Sequence, residues 1–168
     1  MANTTRLEVR ELLRQRDYVK LLDLCQKDHR YWKAVKFAAY EADESISWPA
    51  SEVAALLMQR HWEVSQQEKV REYIRSLLWS LNDESGGIGW NAPQTIAEII
   101  VRIPELVEPY ASMMISRTME EPLLVPNGLW AIGRLGQRVE KEVVFFWEII
   151  RPAFISSDLQ TLGVACWA

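Results

Sequence analysis

The amino-acid sequence predicts an all-helical protein, and three observations lead to this fold class. Apolar residues recur at helical spacing from the beginning of the 168-residue chain to its end. Alternation of β-branched and polar residues with period two, which is typical of half-buried strands, is almost absent. Glycine and proline number only seven each, and they cluster at a few points that separate the helical segments.

The N-terminal part contains three short helical segments, each preceded by a residue that can cap a helix. Thr4 or Thr5 is a suitable cap for the first segment, Asp17 for the second and Asp28 for the third. The oxygens of such short side chains accept hydrogen bonds from the free N–H groups at a helix start. The polar stretch 43–47 is predicted to end the third helix.

Two longer helices are predicted in the middle of the chain. Pro49 indicates a helix start, because its missing N–H costs nothing in the first turn. Ser65, followed by glutamate three residues later at Glu68, has the pattern of a capping box. We expect the helix that begins there to run through Leu81. The conspicuous polar loop 83–90 follows it.

The C-terminal half continues as short helices. Asn91 is a suitable cap, and Pro93 a suitable first-turn residue, for the helix after the loop. A helix over 140–150 is predicted, and Ser156 or Ser157 caps a last one. Further boundaries are expected near Pro104, Pro109, Pro122, Pro126 and Pro152. The total is about nine to ten helices, and their short connections force neighbouring helices to pair antiparallel.

A weak internal repeat indicates that these helix pairs stack in a row. Residues 71–82 can be aligned with residues 125–136 and with residues 159–168. Small side chains recur in these segments where adjacent helices must approach closely: Ser76, Ser80, Ala131, Gly133, Gly163 and Ala165. In such a stack each unit buries its apolar face against its neighbours.

The segment 128–136, Gly-Leu-Trp-Ala-Ile-Gly-Arg-Leu-Gly, is similar to the inner helix of the HEAT-like repeat family, which includes the repeats named after phycobilisome lyases. Residues 162–168 resemble a second copy that stops before its final turn. The resemblance is clearest over residues 70–168. It implies a single domain over residues 1–168, folded as a right-handed α-α superhelix of the HEAT or armadillo type, with one face available for a partner. The family shares no catalytic residues, so none is carried over.

The chain ends on apolar residues, whereas a helical stack normally closes with a polar-faced cap. Either Trp167 folds back onto the preceding helix, or this end pairs with a second copy, or the chain is truncated. Cys25 and Cys166 both lie in apolar helical patterns, which predicts buried free thiols in a reducing, cytoplasmic compartment. No stretch approaches the roughly 18 apolar residues of a membrane span, so no membrane association is expected.

The polar loop and the helix start after it form the best candidate for a partner-binding site. Its glycines let backbone N–H groups converge, and a helix start adds a partial positive charge. Its two carboxylates would repel phosphate, and a helix precedes the loop where a dinucleotide fingerprint needs a strand. The favoured interpretation of the loop is a long inter-helix connection that positions Trp90 against the stack. If the loop has a binding role, contact with a basic partner or a cation fits better than catalysis. The candidate residues are Asp83, Glu84, Gly86, Gly87, Gly89, Trp90 and Asn91.

The sequence predicts no catalytic residue, no metal site and no cofactor. His29 and His61 are too few for a metal site, and no Cys-x-x-Cys or His-x-x-x-His spacing occurs. Both histidines lie beside arginine in surface patterns, which predicts solvated or capping side chains. No serine has the Gly-x-Ser-x-Gly context of a nucleophile elbow.

The leading functional hypothesis is a non-catalytic scaffold that offers a surface to a protein partner. A DNA-binding protein related to HEAT-like alkylated-base DNA glycosylases is the alternative, with tryptophans that stack on bases. The net charge of −4 argues against nucleic acid, and a continuous electropositive groove lined by tryptophan and a carboxylate would favour it. An accessory protein of a bilin or cofactor lyase is a third hypothesis, which only the name of the repeats suggests.

Overall fold

The computed structural model describes residues 2–82 and 89–168, and all regular structure in these residues is helical, as the sequence predicts. Short 3-10 turns lie at Pro104–Leu106, Gly136–Val139 and Arg151–Ile155. Within the described ranges, no helix has the length and apolar character needed to cross a bilayer. The α-helices are α1 (Ala2–Arg14), α2 (Tyr18–Lys27), α3 (His29–Ala38), α4 (Glu44–Glu63), α5 (Gln67–Trp79), α6 (Ala92–Arg102), α7 (Val107–Glu120), α8 (Val125–Leu135), α9 (Glu140–Phe145), α10 (Trp147–Ile150) and α11 (Leu159–Trp167).

Helices α4, α6, α8 and α11 form a row in which each helix packs against the next. Just before α6, the carbonyl oxygen of Trp90 accepts a hydrogen bond from Asn127 in the first turn of α8. Further along both helices, Glu98 of α6 pairs with Arg134 of α8. Residue numbers increase together along the two helices, from Trp90 with Asn127 to Glu98 with Arg134. Helices α6 and α8 therefore run parallel.

The remaining helices cover this row. Helices α1, α2 and α3 pack against one another and against α4. Helix α5 packs against α4 and α6, and α7 packs against α6 and α8. Since α5 and α7 also contact each other, they form a second layer beside the row.

Helix α6 is the most deeply buried element, since every residue from Ala92 to Ile100 is buried. It contributes Ile96, Ile99 and Ile100 to an apolar core that draws on most of the other helices. The same burial encloses three polar or charged side chains of α6, namely Gln94, Thr95 and Glu98. Buried polar groups need hydrogen-bonding partners, and α4 and α8 are the helices that flank these three side chains in the row.

The prediction that the stretch 43–47 is a break and that Pro49 opens a helix is wrong. Helix α4 begins at Glu44, and Pro49 lies inside it. Asp43 caps the helix, because its carboxylate accepts hydrogen bonds from the backbone N–H and the hydroxyl of Ser45. This cap starts the helix one turn before the proline, which then removes a single backbone hydrogen bond.

The predicted capping box of Ser65 and Glu68 does not form. Ser65 has a positive φ of 61°, and its N–H donates to the carbonyl oxygen of Trp62. Gln66 N–H donates to His61 in the same turn. These bonds terminate α4, so Ser65 ends one helix and does not cap the next. Helix α5 starts at Gln67 without a side-chain cap.

Other predicted boundaries have mixed outcomes. The caps Asp17 and Asp28 are confirmed, since their carboxylates accept N–H groups at the starts of α2 and α3. The prediction of one helix over 140–150 is wrong, because Phe146 separates α9 from α10. Three predicted boundaries are wrong. Thr4 and Thr5 lie inside α1, and Pro109 lies inside α7. Asp158, and not Ser156 or Ser157, caps α11.

The close approach predicted from small residues occurs at Gly133 and not at Gly163. A Cβ atom on Gly133 would lie 2.6 Å from the ring of Trp167, whereas one on Gly163 would meet nothing within 4 Å. Trp167 thus packs against α8, which is not the helix that directly precedes α11 in the chain. Cys25 is a buried free thiol, but the prediction for Cys166 is wrong because this residue is exposed.

Candidate functional site

The first turns of α4, α6 and α8 meet along one edge of the row and enclose a cleft of about 440 Å³, which we call the edge cleft. Two amide side chains hold this edge together. Asn127 Nδ2 donates to the carbonyl oxygen of Trp90 at 2.6 Å, and Asn91 Nδ2 donates to that of Ala39 at 2.7 Å. The edge cleft is lined by Tyr40, Glu41, Ala42, Glu44, Ser47, Trp48, Trp90, Asn91, Gln94 and Asn127.

Aromatic rings form much of the wall of the edge cleft. Trp90 is 46% exposed and Tyr40 is exposed to a similar extent, so both rings are open to a ligand. Trp48 is half-buried, and its ring centroid lies 4.5 Å from that of Trp130 on α8. Because α6 lies between α4 and α8, this ring pair crosses over α6. Flat apolar surfaces of this kind bind other flat or cationic groups.

Gln94 is the least satisfied polar group of the edge cleft. The residue is 3% exposed, and its Oε1 atom accepts no hydrogen bond from the described part of the chain. A buried acceptor without a donor costs about 1–3 kcal/mol, and most buried polar groups in folded proteins avoid that cost. Gln94 therefore marks the place where the edge cleft lacks an N–H or O–H donor.

The edge cleft is acidic. Its described lining residues include two glutamates and no lysine, arginine or histidine. Glu41 pairs with Arg10 at 3.1 Å, whereas Glu44 is exposed and makes no ion pair with another described residue. The lining thus favours cations over anions.

A buried carboxylate lies further along the same face of α6. Arg134 Nε donates to Glu98 Oε1 at 2.6 Å, and Arg102 pairs with the same carboxylate from one turn away. Burial would raise the pKa of Glu98, but the hydrogen bonds from the two guanidinium groups outweigh burial and hold it below its usual value. We call Glu98, Arg102 and Arg134 the Glu98 cluster.

The edge cleft and the Glu98 cluster share one face of the row. Trp48 and Glu52 are four residues apart on α4, as are Trp130 and Arg134 on α8. Gln94, Glu98 and Arg102 follow at the same spacing on α6, and residues four apart lie on one face of a helix. Beyond the cluster, the Tyr18 hydroxyl donates to Glu52. Burial, together with this hydrogen bond, raises the pKa of Tyr18.

This arrangement is suited to binding. Both oxygens of Glu98 are occupied by arginine, so this carboxylate is not free to act as a base. In the described residues, no three His, Cys, Asp or Glu side chains are grouped so that they could hold a metal ion. The edge cleft offers rings, amides and carboxylates, which together recognise a polar or cationic group.

The two histidines lie apart from this face and line a separate groove of about 930 Å³ between α2, α3, α4 and α5. His29 is exposed, as the sequence predicts, but His61 is only partly exposed. Burial, together with the nearby charge of Lys69, lowers the pKa of His61. Both acidic and basic side chains line this groove, so it does not select an ion of one sign.

The structure brings only part of the predicted site into view. Asp83, Glu84, Gly86 and Gly87 lie outside the described residues. Trp90 and Asn91 line the edge cleft, while Gly89 is buried and its N–H donates to the carbonyl oxygen of Ser80. Asn91 is the residue before α6, but its side chain does not cap that helix and donates instead to Ala39.

Sequence reasoning missed Trp48, Gln94, Asn127 and the Glu98 cluster. One signal was present, since Gln94, Glu98 and Arg102 place polar groups at four-residue intervals on a helix otherwise rich in isoleucine and alanine. Trp48 and Asn127 carried no such signal, because they belong to segments that only the fold brings together.

Comparisons of this chain with protein-family models, with curated proteins and with solved structures found no match.

Proposed function

We propose that this protein is a non-catalytic, cytoplasmic interaction scaffold that docks a protein partner in the edge cleft. The observation that carries the proposal is Gln94, which lines the edge cleft together with Trp48 and Trp90 and whose buried acceptor has no donor among the described residues. Aromatic residues are enriched where proteins bind one another, and an unsatisfied acceptor gains a hydrogen bond when a partner supplies a donor.

We further propose that the helices form a HEAT-like, right-handed superhelix. The row of α4, α6, α8 and α11, with α5 and α7 in a second layer, supports this arrangement. The parallel course of α6 and α8 also fits, because alternate helices of stacked pairs run in the same direction. In such a stack, the row presents one continuous wall to a partner.

The charges on this wall favour a protein over nucleic acid. A duplex binder needs basic side chains that are free to contact phosphates. Here Arg102 and Arg134 are both paired with Glu98. Glu44, which forms no ion pair with another described residue, adds a negative charge to the edge cleft. The acidic net charge of −4 points the same way.

Affinity capture with matched tryptophan variants tests the proposal. Wild type, Trp90→Ala and Trp79→Ala would be used as bait, and bound proteins would be quantified by mass spectrometry. Trp79 is the control, since it is exposed on α5 and lines a separate groove with Leu78, Met113 and Phe146 instead of the edge cleft. We expect Trp90→Ala to lose a partner that wild type and Trp79→Ala retain.

Two results would contradict the proposal. One is a set of bound proteins that is identical for wild type and Trp90→Ala, with both baits folded by circular dichroism. The other is binding of duplex DNA that weakens steeply as salt increases, since that behaviour belongs to a phosphate-binding surface.

A further inference from the structure

We propose that the edge cleft receives an arginine side chain from an extended, basic segment of the partner. This inference rests on the proposed function and names the chemistry of the docking group. Three features of the edge cleft point to a guanidinium: an acceptor that lacks a donor among the described residues, a wall of aromatic rings, and a negative charge on the described lining residues.

The acceptor is Gln94 Oε1, which has no N–H donor among the described residues. The atom is covered in the free protein, so a guanidinium reaches it only when the side chains that line the edge cleft move aside. A guanidinium carries five N–H donors in a planar fork and no acceptor, so it can satisfy Gln94 while its other N–H groups bond elsewhere. A carboxylate or a phosphate at the same place would offer only further acceptors. An ammonium could donate, but without the flat face that the surrounding rings match.

The aromatic faces are those of Trp48, Trp90 and Tyr40. Cations are attracted to the faces of aromatic rings, most strongly to tryptophan. The protein already forms such contacts within its own fold. The Arg71 guanidinium lies 5.4 Å from the ring of Trp62, and that of Arg6 lies 4.8 Å from the ring of Phe37.

The negative charge comes from Glu44 and, in part, from Glu41, which is shared with Arg10. The first turns of α6 and α8 offset part of this negative charge. Neither helix has a side-chain cap, and each helix start carries a partial positive charge. A helix start is equivalent to roughly half an elementary charge, whereas each carboxylate contributes a full one. The balance therefore remains in favour of a cation.

The size of the edge cleft and its amides fit an extended segment. A volume of about 440 Å³ accommodates one long side chain and the backbone beside it, and is far too small for a helix or a domain. Asn91 and Asn127 each donate their amide N–H to the protein backbone. Their amide oxygens are then suited to accept N–H groups from the backbone of the segment.

The experiment follows the tryptophan indole signals in two-dimensional NMR spectra of the full chain. The probe is a synthetic nonapeptide that alternates arginine with glycine, and its counterpart replaces each arginine with the neutral isostere citrulline. We expect the arginine peptide to shift the Trp48 and Trp90 signals, assigned from Trp→Phe variants, and to leave Trp79 unchanged. The citrulline peptide should bind at least about tenfold more weakly, since it lacks the charge that strengthens such hydrogen bonds.

The affinity of Gln94 variants for the arginine peptide gives a second readout. Because one variant is expected to weaken binding and another to tighten it, a general loss of folding cannot explain both results. Gln94→Leu removes the acceptor and should weaken binding of the arginine peptide at least about fivefold. Gln94→Glu keeps the shape but buries a carboxylate that lacks a donor in the free protein, which destabilises the fold. Because a guanidinium would compensate that charge, the arginine peptide should bind this variant at least about threefold more tightly than wild type. Glu44→Gln should weaken binding and reduce its dependence on salt.

Each alternative outcome overturns a defined part of the inference. Equal binding of the citrulline peptide, shifts confined to Trp79, or no shift at millimolar peptide would remove the arginine proposal. Equal affinity for N-acetylarginine amide would mean that a free small cation, and not a protein segment, is the ligand. If Trp90→Ala still loses its partner in affinity capture while citrulline binds as well as arginine, the scaffold proposal stands without the arginine.

Discussion

Replacing Glu98 with glutamine should destabilise the protein by about 2–3 kcal/mol. The carboxylate is nearly enclosed, and it receives Arg134 Nε at 2.6 Å as well as Arg102 from the next turn. Removing one member of a buried ion pair costs roughly 3–5 kcal/mol, because the remaining charge is left uncompensated. We expect a smaller cost here, since the Arg134 side chain is 40% exposed and can turn towards water.

Urea unfolding at neutral pH, followed by circular dichroism, measures this change as a shift of the midpoint at constant slope. The matched control is Glu148→Gln, which breaks an exposed pair with Arg151 whose N–O distance is 2.9 Å. Exposed pairs contribute little, so the control should stay within about 0.5 kcal/mol of wild type. Equal midpoints for Glu98→Gln and wild type would refute the stabilising role of the Glu98 cluster.

The same variant has a defined pH dependence. The pKa of Glu98 is lowered in the folded protein, because hydrogen bonds from the two arginines outweigh the opposing effect of burial. As pH falls, the unfolded chain therefore binds the proton first, near the usual glutamate pKa of about 4.3. The stability difference between wild type and Glu98→Gln should be constant at neutral pH and shrink as pH falls through that range. An undiminished difference at pH 3.5 would show that the charge of Glu98 is not responsible.

Three further predictions concern packing, thiol reactivity and a histidine. Gly128→Ala should destabilise the protein by about 1–3 kcal/mol in urea unfolding, since the new Cβ atom would lie 2.6 Å from the Cβ atom of Thr118 on α7. Gly163→Ala should be neutral or stabilising, because its new Cβ atom would meet nothing within 4 Å. Cys166 should react with Ellman's reagent within minutes and Cys25 only on unfolding, because burial raises the pKa of the Cys25 thiol to about 12; two fast thiols per chain would contradict this. Burial and the nearby charge of Lys69 lower the pKa of His61, so the unfolded chain binds that proton before the folded protein does. The free energy of unfolding should therefore fall from pH 7.5 to 5.5, and it should fall less in His61→Gln. The same pH dependence in both proteins would contradict this.

Helical periodicity was sufficient to predict the fold class, because it reports how each segment buries its own apolar stripe. It could not predict which helices pack together, since one stripe fits many neighbours equally well. The pairing of α4 with α6 depends instead on contacts such as the hydrogen bond between Ser51 and Thr95, which are 44 residues apart in the chain. Local capping patterns were similarly ambiguous, since the bonds that end α4 at Ser65 compete with a cap of the following helix.

The candidate site shows the same limit. Trp90 and Asn91 could be selected because they follow an unusual loop. Gln94 could not be recognised as unsatisfied from sequence, because that property depends on the surroundings that α4 and α8 provide. A residue acquires such a role only when elements far apart in the chain exclude water from it together.

The rings of Trp48, Trp130 and Trp167 give the protein a built-in optical reporter. Their centroids are separated by 4.5 Å and 6.3 Å along α4, α8 and α11, distances at which neighbouring indole transitions interact. The near-ultraviolet circular dichroism of the native protein should therefore contain a contribution from this array. A ligand that shifts α4 relative to α8 would alter that contribution in unlabelled protein, which would allow spectroscopic titration before any partner has been purified.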